Sequence, residues 1–223
     1  MTNAELSAKM SHDWDERAKQ NASYYIVDSN TTWNREQFYE LGRSSVTGHI
    51  LSDMVNICQE KLPAEMKILE IGCGAGRVTK SLAAVFGQVY AVDISGEMIR
   101  LAEEACREKA NVHLIQNNGM DLSVLPESDS FDFAFSMCCF HHIPSREIIE
   151  SYLKDVSRLL RNGCLFKFEV QGDTKACSEA DDTWVGVPFP DAAVDEMAER
   201  CGFEPRYRVR EEPDRLWLWF FKK

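Results

Sequence analysis

Glu70 stands two residues ahead of three alternating glycines, Gly72, Gly74 and Gly76, in the stretch KILEIGCGAGR. Residues without side chains can take positive φ and let a ligand lie directly on the backbone. The G-x-G-x-G spacing is not the G-x-G-x-x-G of a dinucleotide fingerprint. A carboxylate at Glu70 would repel a pyrophosphate and welcome a cation. Roughly 20 residues further on, Asp93 closes the apolar run QVYAV, the place for an acid that accepts from both hydroxyls of a ribose. A third set of reactive types lies in SMCCFHHIP, where His141 and His142 titrate near neutrality and can take a proton from a hydroxyl or an amine.

These groups meet only if particular elements carry them. Ile68 to Ile71 reads as a buried strand, broken only by Glu70, and VTKSLAAVF after the glycines has helical spacing. Gln88 to Val92 is the next strand, followed by a helix capped by Ser95. Val112 to Gln116 is a third strand, leading into the turn NNGMDL. Ser130 to Ser136 is a fourth, buried on both faces. An amphipathic helix over Ser145 to Leu160 precedes an Asn-Gly turn and a fifth strand, on which Glu169 and Gln171 share a face. Gly172 to Phe189 reads as a loop. A helix from Pro190 to Cys201 follows. Phe203 to Arg210 and Leu216 to Phe221, flanking EEPD, form an antiparallel hairpin.

Ahead of the first strand, Met1 to Gln20 reads as a helix with Leu6, Met10, Trp14 and Ala18 on one side. Asn21 to Trp33 is irregular and aromatic. A longer helix runs from Asn34 to Leu62, opened by an Asn34/Gln37 capping box. Gly42 and Gly48 mark a bend within it, and Pro63 ends it. The domain expectation is an N-terminal helical lid over residues 1–62 and a single core over residues 63–223.

The E-x-G-x-G-x-G run, the acid at the second strand tip and the H-I-P loop together resemble the class I S-adenosylmethionine-dependent methyltransferases. HDWDERAKQNASYYI also resembles the entry region of a group of bacterial small-molecule methyltransferases, where it folds over the cofactor as a lid. The resemblance covers residues 62–172 well, and topology extends it to the end. It implies an α/β, Rossmann-like seven-stranded mostly parallel sheet in the order 3-2-1-4-5-7-6. Strand 7 is antiparallel, and helices cover both faces.

The resemblance also assigns residues. S-adenosyl-L-methionine, leaving as S-adenosyl-L-homocysteine, would be held by Glu70, Gly72, Cys73, Gly74, Gly76, Asp93, Ile94, Met98, Asn118, Gly119, Met120, Ser136 and Met137. Arg17 would meet its carboxylate. Asn118 would bind the adenine amino group, with Asp121 as second candidate. Trp14, Tyr24, Tyr25, Phe140, His141, Gln171 and Trp184 would shape the acceptor site. His141 or His142 would be the catalytic base, with His141 facing the pocket and His142 an anchor.

The chain has 223 residues, 44% of them hydrophobic, and a formal net charge of -11. That length suits one domain with a proper core. The absence of any Lys/Arg-rich run argues against nucleic acid and against an anionic membrane surface. No apolar run could span a bilayer, and the amino terminus reads as lacking a signal-peptide core. The eight cysteines are therefore expected to be reduced thiols in the cytosol. Cys138 and Cys139 beside the two histidines lack the second pair of a structural zinc site, so no metal is expected.

The expectation is thus a cytoplasmic monomeric or homodimeric enzyme methylating an O or N of a small molecule. A peptide or protein N-methyltransferase is the alternative. A nicotinamide oxidoreductase and a non-catalytic S-adenosylmethionine-binding module are the lesser rivals.

Overall fold

Short apolar runs become the centre of the sheet: β1 (Lys67–Ile71), β2 (Gln88–Asp93), β3 (Val112–Gln116) and β4 (Phe131–Ser136). All six residues of β4 are buried, as a parallel strand covered on both faces requires. The computed structural model describes residues 1–27, 33–126, 130–172, 183–212 and 214–223. β5 (Leu160–Gln171) adds to β4 in parallel, β7 (Arg215–Lys222) runs antiparallel to β5, and β6 (Phe203–Glu212) closes the edge. The order is β3-β2-β1-β4-β5-β7-β6, as expected. The expected loop over 172–189 lies partly outside the described residues, as does one residue of the EEPD connection.

Helices cover both faces. Alternate residues of one strand serve opposite layers: Leu69 and Ile71 pack with α6 (Arg146–Leu159) and α7 (Asp191–Arg200), whereas Ile68 faces Val46 of α2 (Arg35–His49) and Leu82 of α4 (Thr79–Leu82). α5 (Gly96–Cys106) starts at Ser95, whose hydroxyl accepts from Met98 N. α1 (Asn3–Val27) lies across its amino end.

Five expectations need correction. The first helix does not stop at Gln20: it kinks at Asn21 (φ -170, ψ 85) and continues to Val27. The Asn34 capping box forms, but the helix it opens ends at His49. A 3-10 turn and the short α3 (Met54–Cys58) replace the rest, and the chain turns where Asp53 leaves helical geometry (φ -130, ψ 22). Gly42 marks no bend; a Cβ there would stand 2.0 Å from the Arg77 carbonyl oxygen, so close packing explains it. VTKSLAAVF yields only the four residues of α4, because bonds such as Ser81 N to Val78 O and Val85 N to Leu82 O tighten its ends into 3-10 geometry. The Asn-Gly pair does not precede β5 but lies within it. Its register against β4 jumps from Phe131–Leu160 to Phe133–Leu165, and Gly163 at φ 79 absorbs the extra residues.

The bend at Asp53 is fastened from the sheet. Lys167, whose side chain is 3% exposed, donates to His49 O at 2.6 Å and to Asp53 Oδ2 at 2.9 Å. Trp219 Nε1 donates to the same oxygen at 2.5 Å. Removing one partner of a buried pair leaves the other charge uncompensated. Lys167→Met is therefore expected to cost about 3 kcal/mol of stability, read by urea denaturation. A loss below about 0.5 kcal/mol would mean that the cluster does not fasten the helices.

Candidate active site

The strands end in a common crevice, where the sheet order reverses between β1 and β4. Gly72 and Cys73 donate to Val92 O at 2.8 and 3.1 Å, which bends the chain back toward β2. Asp93 then ties down the loop. Its Oδ2 accepts from Gly74 N at 2.8 Å and its Oδ1 from Ser95 N at 2.9 Å. Gly72, Gly74 and Gly76 all take positive φ. Gly72 is also sterically obligatory, since a Cβ there would lie 2.4 Å from Cys139 Cβ.

The cavity left above this loop measures about 870 Å³ out to its mouth, and Glu70 and Asp93 both line it. Burial pushes the Glu70 carboxyl up to about 8, although Thr79 and the Arg77 charge oppose the shift. Burial likewise raises Asp93 to about 6, against the hydrogen bonds from Ser95 and Gly74. Two acids facing one desolvated space, with both pKa values raised, form a site waiting for positive charge and hydrogen-bond donors.

This arrangement has a consequence for stability. Glu70 titrates near 8 when folded and near 4.5 otherwise, so its protonated form favours the fold. That contribution is complete below 4.5 and is lost as pH rises through 8; Asp93 acts with the same sign between 3.8 and 6. The unliganded protein should melt lower at about pH 9 than at about pH 6, and Glu70→Gln should flatten the difference. Thermal melts across that range decide the matter, and an unchanged slope in the variant would refute a buried protonated Glu70.

α1 roofs the cavity with Met10, Trp14, Tyr25 and Ile26. It is latched to the sheet side: Ser7 Oγ donates to Asn118 O, Ser11 Oγ donates to Ile94 O at 3.3 Å, and Asp15 Oδ1 accepts from Ser95 Oγ at 2.5 Å and Glu97 N at 3.1 Å. The kink at Asn21 turns the last helical segment over the glycine loop, where Ile26 comes within 3.0 Å of where a Gly74 Cβ would be.

The cavity wall takes in Glu70, Gly72, Cys73, Gly74, Asp93, Ile94, Met98, Gly119 and Met137, with Trp14 and Tyr25 above. Other expected residues stand elsewhere. Arg17 lies outside the wall, with its guanidinium 4.8 Å from the Trp14 ring and 5.3 Å from the Trp184 ring and its Nη1 donating to Thr183 O. Arg77 is the guanidinium of the cavity, donating to Ser45 Oγ at 3.1 Å. Gly76 packs on Ala102 of α5 instead of facing the cavity.

Asn118 folds onto its own turn, accepting from Met120 N and Asp121 N at 2.8 and 3.0 Å and donating to Asp121 Oδ1. Neither it nor Met120 lines the cavity; Asn117 does, held by Tyr152 OH at 2.6 Å. Asp121 is occupied by Ser123 as well. Ser136 is buried, its hydroxyl donating to Ile71 O.

The acceptor side rearranges more. Phe140 is fully buried among Tyr152, Phe166 and Phe168, so it serves the core. The two histidines exchange their expected places. His141 turns inward, with Nδ1 2.9 Å from Glu169 Oε1, while His142 lines the cavity. Glu169 also accepts from Cys138 N at 2.7 Å, holding a residue at φ 56. The His141 contact, Arg215 and that hydrogen bond outweigh burial and lower its carboxyl to about 2. Gln171 is buried and does not line the cavity, and its carbonyl accepts from Phe189 N. Tyr24 packs on Tyr25 at 5.0 Å, and Trp184 backs the wall behind His142 and Tyr25.

Met10, Arg77, Asn117 and Tyr152 line the cavity without having been singled out. Arg77 follows the last glycine directly, and Asn117 neighbours the expected Asn118. Met10 was visible only as part of a helical stripe, and Tyr152 had no local signal.

Comparison with known proteins agrees with this geometry. Residues 68–163 match the family described as "Methyltransferase domain". The malonyl-[acyl-carrier protein] O-methyltransferase of Paenibacillus sp. (strain JDR-2) is 37% identical over 112 residues, covering 48% of this chain and 40% of that protein. The demethylmenaquinone methyltransferase of Tropheryma whipplei is 30% identical over 98 residues, covering 44% and 38%. The chain thus matches well under half the length of these curated relatives. Among solved structures, the magnesium protoporphyrin IX methyltransferase of Synechocystis PCC 6803 with bound SAM superposes with a TM-score of 0.69 at 15% identity, covering 98% of this chain and 97% of that one. The DhpI–SAH complex gives 0.67 at 16%, covering 99% and 98%. Residues 68–163 thus match a methyltransferase domain, and the chain along almost its whole length has the fold of these SAM- and SAH-bound structures.

Proposed function

We propose that this cavity binds S-adenosyl-L-methionine and that the protein transfers its methyl group to an oxygen or nitrogen of a small molecule. The observation that carries the reading is that Glu70 and Asp93 face one cavity across the bare backbone at Gly72 and Gly74. The cofactor supplies an activated methyl on a positively charged sulfur, whose departing thioether needs no acid. The chain's task is alignment and exclusion of water. Asp93 would accept from the ribose hydroxyls, and Glu70 would lie toward the cationic end. Ile94 and Met98 offer apolar surface to the adenine, beside the Gly119 turn. Residues 1–62 would act as the lid and residues 63–223 as the core. Trp14 and Tyr25 would close over an acceptor.

Names among the relatives support oxygen or nitrogen as the methylated atom, since they include O-methyltransferases and a phosphoethanolamine N-methyltransferase. The seven described cysteines are all free, consistent with a reducing compartment, and no described helix is long and apolar enough to cross a membrane. Calorimetric titration with S-adenosylhomocysteine tests the cofactor site. Incorporation of tritiated methyl across phenols, amines, sugars and peptides tests the acceptor. No binding in the titration would remove the proposal.

A further inference from the structure

One side chain of the cavity wall has a fixed hydrogen-bonding direction that the cofactor reading leaves unused. His142 Nδ1 lies 2.5 Å from the backbone oxygen of Trp184. A carbonyl can only accept, so Nδ1 carries the proton and Nε2 carries a lone pair. Neighbouring rings hold the imidazole in this orientation: Trp14 stands edge-on at 5.0 Å, Trp184 tilts at 4.8 Å and His141 at 3.9 Å. His142 is 6% exposed, and it lines the cavity. Among the described residues Nε2 has no hydrogen-bond partner.

We infer that His142 Nε2 receives the acceptor's proton, and that the acceptor group is the hydroxyl of a flat aromatic or enolic molecule; the inference rests on the methyl-transfer reading above. The lone pair selects the ligand by what it carries. A carboxylate brings no proton and would set its own lone pairs against Nε2. An ammonium nitrogen has no lone pair until its proton has left completely. Burial, then His141, Arg17 and Arg215, hold the His142 pKa well below the usual imidazole range, against the Trp184 hydrogen bond. So weak a base does not strip an alkylammonium titrating near 10. A hydroxyl oxygen keeps lone pairs for attack while its proton is still shared with Nε2. The Trp14 and Tyr25 rings favour a flat body for the molecule that bears it.

The step balances. An oxygen lone pair forms the C–O bond, and the electrons of the S–CH3 bond stay on sulfur as a neutral thioether. The O–H pair returns to oxygen as the proton passes to Nε2, and the imidazolium loses it to solvent afterwards.

The test uses the full chain saturated with S-adenosylhomocysteine and a matched set of probes: 2-naphthol, 2-naphthoate and 2-naphthylmethylamine. Titration calorimetry at neutral pH should show 2-naphthol binding about tenfold more tightly than either of the others. His142→Phe should erase that preference, and His142→Gln, whose Oε1 still accepts, should restore part of it. Independently of any ligand, the nitrogen-15 spectrum of the wild type should place the proton on Nδ1. Equal or tighter binding of the naphthoate or the amine overturns the inference. So does a preference that survives in His142→Phe, or a proton found on Nε2. Failure of S-adenosylhomocysteine itself to bind is a different result, which removes the methyl-transfer reading first.

Discussion

Asp93→Ala should weaken S-adenosylhomocysteine binding at least 100-fold, in the limit to no detectable heat in a calorimetric titration. Two losses combine. A carboxylate that accepts two ribose hydroxyls contributes about 1.5–3 kcal/mol per bond, so removing both costs about 3 kcal/mol at least. The same carboxylate accepts from Gly74 N and Ser95 N in the empty protein. Alanine leaves both donors unpaired at the glycine loop, and the loop loses its tie to the start of α5. Each orphaned donor costs about 1–3 kcal/mol, so the variant should also melt several degrees lower. Asp93→Asn separates the contributions. Its single oxygen can hold one backbone donor, while its amide nitrogen opposes the other, so its affinity should fall between wild type and Asp93→Ala. Circular dichroism at the titration temperature ensures that a folded protein is being measured. Affinity within about threefold of wild type in Asp93→Ala would mean that the ribose does not sit on Asp93.

The same residue shows why part of this site was legible in the sequence. The parallel strands β1, β2 and β4 are buried on both faces, so they appear as apolar runs, and whatever follows such a run must lie at the crevice. Glu70, the glycines and Asp93 are placed by chain position alone. The capping box at Asn34 and the Ser95 cap are similarly local, since each is closed within three residues. The histidines are not local. Phe140–His142 forms a 3-10 turn, in which successive side chains diverge by about 120°, so neighbours face different surroundings. Which of them meets the cavity is decided by Glu169 on β5, which takes His141, and by the Trp184 carbonyl, which takes His142. The Asn117/Asn118 exchange has the same origin: Tyr152 of α6 holds one, and the turn itself consumes the other. Arg17 follows Trp14 by three residues on one helix, so it packs over that ring instead of reaching the cavity.

Gly72→Ala should be among the most damaging single-methyl changes in the protein, and its damage can be divided. At φ +76 an alanine is strained whatever the surroundings, at a cost of about 1 kcal/mol. Its Cβ would also sit 2.4 Å from Cys139 Cβ and 2.5 Å from Cys139 Sγ, too near for either to stay. Cys139 cannot simply rotate away, because its Cβ is fixed by the backbone of the loop that also carries Met137 and His142 into the cavity. Relief must come from separating the ends of β1 and β4, where the site is formed. We expect about 3 kcal/mol lost in chemical denaturation, together with a loss of S-adenosylhomocysteine affinity of at least 100-fold. Gly72→Ala combined with Cys139→Gly removes the steric conflict but not the backbone strain. The double variant should therefore recover most of the stability lost to the collision, less the cost of the Cys139 change measured alone. Recovery of stability without recovery of binding would show that the ligand lies against Gly72 itself, where the added methyl still stands in its way. No recovery of either would mean that the β1–β4 junction does not depend on this contact.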